Sequence, residues 1–360
     1  MADPYLFRPF TLRGMEVRNR LWVAPMCQYS VTELDGIPRD WHLVHVGALA
    51  RGGAGLVTLE ATAVTAEGRI SPRDLGLWSD EHTPAFARLA EIAHAHGARI
   101  SVQLAHAGRK ASTYPALPGF PAGTQPSSEG GWETVAPSAV PFGDFTTPRA
   151  LEVPELHSIT AAFVAAAGRA VAAGFDAIEV HAAHGYLLHE FLSPLSNLRD
   201  DGYGGDLAGR ARLLRETVRA IRGAHPELPV VVRLSATEWV DGGFDLAESG
   251  VVVAWLAEDG ADLIDVSSAA NLPSAPIPVG PSYQVPLAAS LRQGPLPVGA
   301  VGLITSAEQA EAILSTGQAD VVYLGRPLLA NPHLPISWAH ELRAPVAAEL
   351  VPAPYHRARF

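Results

Sequence analysis

The sequence predicts an α/β fold in which eight parallel strands close into a barrel with helices outside, the TIM (β/α)8 architecture. Eight short runs rich in Val, Ile and Leu recur along the chain, as expected for parallel strands buried on both faces. Longer helix-like segments alternate with these runs throughout. No Gly-rich dinucleotide fingerprint follows the first run, which favours a closed barrel over an open doubly wound sheet.

The eight predicted strands span residues 21–24, 56–60, 100–104, 177–180, 230–234, 263–266, 297–301 and 321–324. Helix-like segments that begin near a plausible cap lie at residues 81–96, 155–173, 206–223, 246–258 and 306–315. Residues 113–148 are dense in Pro, Gly and Ser and too long for a simple connection. We expect this stretch to be a loop or small hairpin after the third strand, in a single domain spanning residues 1–360.

The length and composition of the chain limit which classes of protein it can belong to. A chain of 360 residues accommodates one such barrel, which needs roughly 250 residues, or two medium domains. The net charge of -11 lacks the basic surplus that binding to a phosphate backbone requires, which argues against nucleic acid as a partner. Cys27 is the only cysteine, so an intramolecular disulfide and a zinc site built on several thiolates are both excluded.

The sequence predicts no attachment to a membrane. No run approaches the roughly 18 apolar residues of a membrane span. Residues 1–10 contain Asp3, Pro4 and Arg8 where a signal peptide needs an apolar run. We therefore expect a cytoplasmic protein.

Polar residues and glycines stand at the ends of most predicted strands, where the active site of such a barrel lies. The groups to inspect are residues 25–29 (Pro-Met-Cys-Gln-Tyr), Gln103 with residues 106–110 (His-Ala-Gly-Arg-Lys), residues 181–186 (His-Ala-Ala-His-Gly-Tyr), Arg233, Gly302, and Gly325 with Arg326. The last two strands are where barrels commonly bind a phosphate through backbone N–H groups. Taken singly, the two glycines are equally well explained as strand ends.

These groups suit a ligand with many hydrogen-bonding edges, and flavin mononucleotide (FMN) is such a ligand. Gln103 and Arg233 would face the pyrimidine edge of its ring, where an arginine stabilises the negative charge of a reduced flavin. Arg326 would bind the phosphate. Arg233 is the hardest of these residues to explain otherwise, because a cation inside an apolar strand needs a partner.

His181 and His184 lie three positions apart, and Tyr186 follows two residues later. Two ring N–H groups aimed at a carbonyl or nitro oxygen would polarise a conjugated C=C bond as hydride arrives. Tyr186 would then supply a proton to the other carbon. A His-x-x-His pair also occurs in metal sites and in purely structural hydrogen bonding. We expect no metal here, since Glu60 and Glu179 both precede the turns where a third ligand would stand.

Several long motifs in order resemble Old Yellow Enzymes over nearly the whole chain. They are Pro-Met-Cys-Gln-Tyr (25–29), Gln-Leu-Ala-His-Ala-Gly-Arg-Lys (103–110), His-Ala-Ala-His-Gly-Tyr (181–186) with Phe191, Leu192, Ser193, Pro194, Asn197, Arg199, Tyr203, Gly204 and Gly205 downstream, and Tyr-Leu-Gly-Arg-Pro (323–327). Cys27 and the short chain look like the bacterial subgroup of thermophilic-like ene reductases or xenobiotic reductases.

The resemblance implies an FMN-containing barrel that NADPH or NADH reduces and that then reduces α,β-unsaturated carbonyl or nitro compounds at the same site. Residues lining the FMN would be Ala24, Pro25, Met26, Cys27, Ala61, Gln103, Arg233, Gly302, Gly325 and Arg326. Residues facing the substrate would be Tyr29, His181, His184 and Tyr186, joined by Lys110. Cys27 would contact the flavin and adjust its potential, although a lone cysteine more often only packs as a small apolar residue.

The resembled subgroup also forms homodimers, or tetramers built from them, in which a C-terminal arginine enters the neighbouring site. In the tail, at about residues 340–360, Arg357 is the best candidate for this substrate-side role, and Arg359 is the alternative. The family's usual Tyr-x-Arg-Gly ending is altered here, because Ala358 follows the arginine.

Two other functions remain open from sequence alone. One is a Schiff-base aldolase on the same barrel, with Lys110, the only lysine of the chain, as the reactive amine. The other is a flavin-binding sensor that binds FMN without turnover.

Overall fold

The computed structural model describes residues 3–358. Eight parallel strands, numbered β1 to β8 along the chain, form a closed barrel in which sequential strands pair and β8 pairs with β1. They are Leu21–Val23, Leu56–Ala63, Arg99–Ala105, Ala177–Ala182, Val230–Ser235, Leu263–Ser267, Val298–Ala300 and Val321–Leu324. The predicted barrel and all eight predicted strands are confirmed.

Helices follow the strands and are numbered in chain order from α1 to α11. They are Asp40–Arg51, Thr83–Ala95, Val153–Ala172, Leu187–Leu192, Leu207–Ala224, Leu246–Asp259, Val285–Leu291, Ala307–Ser315, Arg326–Ala330, Leu334–Glu341 and Ala347–Leu350. The five predicted helices are confirmed as α2, α3, α5, α6 and α8. Side-chain caps explain several of the starts: the Asp206 carboxylate, for example, accepts from the Gly209 amide at 2.9 Å. Within residues 3–358, no helix combines the length and apolar character that crossing a membrane requires.

An antiparallel hairpin, absent from the sequence prediction, covers the amino-terminal end of the barrel. It pairs Phe10–Leu12 with Met15–Val17. Its apolar side chains pack against Trp22 and Tyr323, whose rings meet edge to face with centroids 5.5 Å apart. Because side chains fill this end, a ligand can enter the barrel only from the carboxyl ends of the strands.

Residues 113–148 form a long loop, which was one of the two predicted alternatives. The loop contains a short 3-10 turn, Ser127–Glu129, and the two-residue strand Val135–Ala136. That strand pairs in parallel with Arg149–Ala150, so the ladder is not a hairpin, whose strands must run antiparallel. The loop is fastened to the barrel mouth by Arg109, whose guanidinium donates to the Val140 carbonyl at 3.2 Å.

Candidate active site

Cys27, Tyr29 and Tyr186 pack together with Ala61 in a small cluster at the barrel mouth. Burial is the main reason that the pKa of the Cys27 thiol is raised well above its ordinary value. Burial likewise raises the pKa of the Tyr29 and Tyr186 phenols. All three groups therefore hold their protons at neutral pH, which makes Cys27 a poor nucleophile and leaves Tyr186 with a proton to donate.

The two histidines lie beside Tyr186. The ring centroids of His181 and His184 are 5.2 Å apart, and those of His181 and Tyr186 are 5.0 Å apart. The pKa of both imidazoles lies well below its ordinary value, first because they are buried and next because the Arg233 cation is near. Both rings are therefore neutral, and each carries one N–H. The Nδ1 atom of His181 is buried and has no hydrogen-bond partner among residues 3–358, so it is available to a ligand.

Ser267, at the end of β6, holds His184 in place. Its Oγ lies 2.7 Å from His184 Nε2 and 3.4 Å from Gln284 Oε1. Ser268 already donates to that same Gln284 oxygen at 2.6 Å. We therefore assign the Ser267 proton to His184 Nε2, which leaves the N–H of His184 on Nδ1. The sequence prediction missed Ser267, although its place on the inward face of β6, two residues after Asp265, was a readable signal.

Below the histidines, four buried polar side chains form a layer inside the barrel. Gln103 Nε2 donates to Glu179 Oε1 at 2.6 Å. Arg233 Nε lies 3.1 Å from Asp265 Oδ2, an ion-pair distance, but the two groups are not aligned for a hydrogen bond. Burial raises the pKa of both carboxyls, and the Arg233 cation opposes the rise. Arg233 therefore retains donor capacity that its neighbours in the protein do not satisfy.

A cavity of about 380 Å³ lies between the ends of β7 and β8. Gly302, Gly325 and Arg326 line it. Gly302 has a φ of 116°, a conformation that residues with a Cβ rarely adopt. A Cβ added to Gly325 would be in van der Waals contact with the sulfur of Met26, at 3.4 Å. These features form a cradle in which backbone amides and one exposed guanidinium can bind an anionic group.

The segment after β1 joins the two parts of the site. Ala24 is buried, and its amide donates to the Leu324 carbonyl at 2.9 Å. Pro25 and Met26 are half-buried and lead from β1 to Cys27. The predicted flavin-side residues of β1 and β8 thus lie together.

Lys110 is engaged by the backbone. Its Nζ donates to the carbonyl of His184 at 2.8 Å and to that of Ala270 at 3.0 Å. Two of its three N–H donors therefore serve loop carbonyls, which leaves one for a ligand.

The C-terminal tail packs on the barrel's own helices. The Tyr355 ring lies 6.0 Å from the His333 ring and 5.4 Å from the guanidinium carbon of Arg51, at the end of α1. Arg357 is exposed. Arg359, the alternative candidate, lies outside the described residues.

Residues 3–358 contain no group of three or more His, Cys, Asp or Glu side chains that could hold a metal ion.

The comparisons with known proteins decide the family. Residues 5–344 match the model of the NADH:flavin oxidoreductase / NADH oxidase family. The chain belongs to this family. It is 46% identical over 350 residues to an NADPH dehydrogenase of Geobacillus sp. (strain WCH70), covering 97% of each chain. It is 45% identical over 354 residues to an NADPH dehydrogenase of Halalkalibacterium halodurans, covering 98% of each.

Solved structures agree with this family. Morphinone reductase in complex with tetrahydroNAD superposes with a TM-score of 0.78 at 30% identity, over 94% of this chain and 92% of that one. An Old Yellow Enzyme homologue from Zymomonas mobilis gives a TM-score of 0.76 at 27% identity, over 94% and 93% of the two chains. The predicted resemblance to Old Yellow Enzymes is confirmed. The protein is an oxidoreductase that uses FMN, with NADPH or NADH as reductant. This assignment removes the support for a Lys110 aldolase.

Proposed function

We propose that this flavin oxidoreductase reduces activated C=C bonds, those conjugated to a carbonyl or nitro group, in small molecules. The observation that carries the proposal is the grouping of two neutral histidines and a protonated Tyr186 at one end of the barrel. Neutral N–H donors polarise a substrate oxygen, and a phenol that keeps its proton can deliver it.

The residues present fit FMN. Its phosphate would bind in the cradle of Gly302, Gly325 and Arg326. Arg233 would hold the ring, because its unsatisfied donor capacity in a buried setting calls for an anionic or hydrogen-bonding partner. The full set that would hold the cofactor comprises Ala24, Pro25, Met26, Cys27, Ala61, Gln103, Arg233, Gly302, Gly325 and Arg326. When bound, FMN supplies the hydride, which the nicotinamide cofactor has delivered to it.

The side chains of this chain perform the remaining steps. The free Nδ1–H of His184 and the N–H of His181 would donate to the substrate oxygen and stabilise the enolate-like charge that develops on it. Tyr186 Oη would give its proton to the carbon next to the activating group, and solvent would then return a proton to Tyr186. The products are the saturated compound and oxidised cofactor. Cys27 and Tyr29 would shape the cavity beside the ring.

We further infer that residues 1–360 form one barrel domain that assembles as a homodimer or a homotetramer. Arg357 from one chain's tail would reach the substrate side of its neighbour's site. Support for this arrangement comes from the exposed position of Arg357 at the end of an ordered turn. Arg357→Ala in the assembled enzyme should raise the KM for substrate and leave the rate of flavin reduction unchanged.

The decisive experiment is optical. The purified protein should be yellow, lose its flavin absorption when NADPH is added without oxygen, and regain it when 2-cyclohexenone is added, with cyclohexanone as product. Colourless protein that does not take up FMN would overturn the proposal. Reduced protein that neither cyclohexenone nor maleimide reoxidises would point instead to a flavin-binding sensor.

A further inference from the structure

Lys110 connects two loops of the barrel mouth that the sequence keeps far apart. It ends a short 3-10 turn after β3, Gly108–Lys110. Its ammonium binds the carbonyl of His184, after β4, and the carbonyl of Ala270, after β6. The rings of Phe142 and Tyr186 flank the same ammonium, with centroids 4.5 Å and 5.1 Å from Nζ. A cage of carbonyl oxygens and aromatic faces stabilises a desolvated cation.

Both carbonyls that Lys110 binds belong to residues in an unfavourable backbone conformation. His184 has a φ of 60° and Ala270 a φ of 72°, in the left-handed region that residues with a Cβ rarely adopt. The loops also touch directly, because a Cβ on Gly185 would lie 2.4 Å from the Ala270 oxygen. Such conformations persist only where neighbouring groups enforce them. The Lys110 ammonium is such a group for both loops.

We propose that Lys110 is a positioning residue, whose charged ammonium fastens the His184 and Ala270 loops together. It thereby holds His184 in the geometry that binds the substrate oxygen and Tyr186 in the geometry that delivers the proton. This role rests on the proposed function. It adds to that function a residue, Lys110, that acts through the backbone of the His184 and Ala270 loops. It differs from both earlier expectations for Lys110, which were direct contact with substrate and Schiff-base formation.

The proposal carries a pH dependence. Burial lowers the pKa of the Lys110 ammonium to about 8, with Glu190 on α4 opposing that shift and Arg109 adding to it. The other titratable groups facing it are His181 in β4, His184 in the loop after β4, and Tyr186. As pH rises above about 8, Lys110 loses its charge, its bonds to the two carbonyls weaken, and the loops are held less firmly.

The first test uses the enzyme with FMN bound and needs no turnover. Because Lys110 is the only lysine, protein grown with lysine labelled by 15N on the side chain gives a single amine resonance. We expect it to titrate near pH 8, and we expect 4-hydroxybenzaldehyde, a phenol that mimics an enolate, to move the midpoint upward. Linkage requires this shift if the charged amine supports the ligand-binding geometry. A resonance whose titration does not move with ligand overturns the proposal.

The second test measures the dissociation constant of 4-hydroxybenzaldehyde in variants. Lys110→Met should weaken binding about tenfold at pH 6.5, the loss expected for a charge-assisted hydrogen-bonded anchor. The ratio of the variant's dissociation constant to that of the wild type should fall towards one above pH 8. Taking this ratio cancels the effect of the probe's own titration, which is the same for both proteins. Lys110→Arg, which keeps the charge, should recover most of the affinity. Equal affinities of Lys110→Met and wild type, or a ratio that ignores pH, would refute the role.

Two further variants serve as controls. Arg88→Met removes an exposed cation from α2 and should leave the ligand affinity unchanged at every pH. Glu190→Gln removes the nearby buried carboxyl, whose own pKa burial raises to about 8. If Lys110 causes the pH dependence of the affinity ratio, the same dependence must be seen when Lys110→Met is compared with Lys110 in proteins that both carry Glu190→Gln. Loss of the pH dependence in those proteins would assign it to Glu190. If the enzyme binds the probe as expected but does not reduce 2-cyclohexenone, the proposed reaction is wrong and the positioning role of Lys110 is not contradicted.

Discussion

Replacing Arg326 by Met tests where the cofactor's phosphate binds. Arg326 lines the cavity of about 380 Å³ at the ends of β7 and β8, and its side chain is exposed there. A hydrogen bond to a charged group contributes about 1.5–3 kcal/mol, which corresponds to roughly 10- to 150-fold in affinity. Because solvent screens an exposed cation, the lower part of that range applies. We expect Arg326→Met to weaken FMN binding about 10- to 50-fold.

The assay is a fluorescence titration of flavin into protein stripped of its cofactor, performed with FMN and with riboflavin. Riboflavin has the same ring system and lacks the phosphate. The variant should therefore bind riboflavin as the wild type does, while its affinity for FMN falls. Arg88→Met, which removes an exposed arginine from α2, is the matched control and should bind both flavins normally.

Two results would contradict this placement of the phosphate. Equal loss of FMN and riboflavin affinity would mean that Arg326 supports the fold or the ring and not the phosphate. Unchanged FMN affinity would place the phosphate away from the cradle of Gly302 and Gly325. The backbone of the cradle can be tested in the same assay, since Gly302→Ala imposes a Cβ at a φ of 116°.

Three further predictions concern the mouth and its support. Tyr186→Phe should slow reoxidation by 2-cyclohexenone about 100-fold or more and leave reduction by NADPH within about twofold in stopped-flow traces; equal slowing of both would exclude the phenol as proton donor. Folding raises the pKa of the Glu179 carboxyl from 4.5 to about 8, so the free energy of unfolding should fall as pH rises between these values. The difference in melting temperature between Glu179→Gln and the wild type should therefore grow in favour of the variant from pH 5 to 8 and stay constant above pH 8. A difference that is the same at every pH would refute the raised pKa. Gly108→Ala places a Cβ at a φ of 59° and 2.3 Å from Glu190 Oε1, and should lower the free energy of unfolding in urea by about 1–3 kcal/mol. Gly223→Ala in α5, which has open space around it, should raise that free energy by about 0.5–1 kcal/mol.

The strands of the barrel were predictable because they are buried along their whole length, apart from the half-buried Arg99 at the start of β3. In a parallel barrel both faces of a strand exclude water, so runs such as Val321–Leu324 are marked by apolar residues without alternation. The hairpin over the amino-terminal end was not found for the opposite reason. Its strands are three residues long and carry the exposed Thr11 and Glu16, a pattern too short to distinguish from a loop.

The site was predictable to the extent that it lies on strand ends. Gln103, Arg233 and the two histidines converge because parallel strands end at one rim of the barrel. Ser267, which contacts His184, and Gln284, which lies against Ser267 and Ser268, were not identified. Gln284 precedes α7 on a connection with no regular period, so only the folded chain brings it to the two serines after Val266. The contacts of Lys110 with two loop carbonyls could not be read from sequence either, because backbone acceptors carry no residue signature.

The register of three strands explains why a charged layer exists inside this barrel. His181, Arg233 and Asp265 stand side by side in one row across β4, β5 and β6. A cation at the middle of the row needs a counter-charge once it leaves water, and the adjacent strand supplies one directly opposite. A slip of one residue in β5 would turn Arg233 to the helix side and leave Asp265 buried without its cation. It would also remove from His181 the positive neighbour that, after burial, does most to lower the pKa of the imidazole. The same pairing that closes the barrel therefore adds an electrostatic contribution to the burial that keeps this histidine neutral.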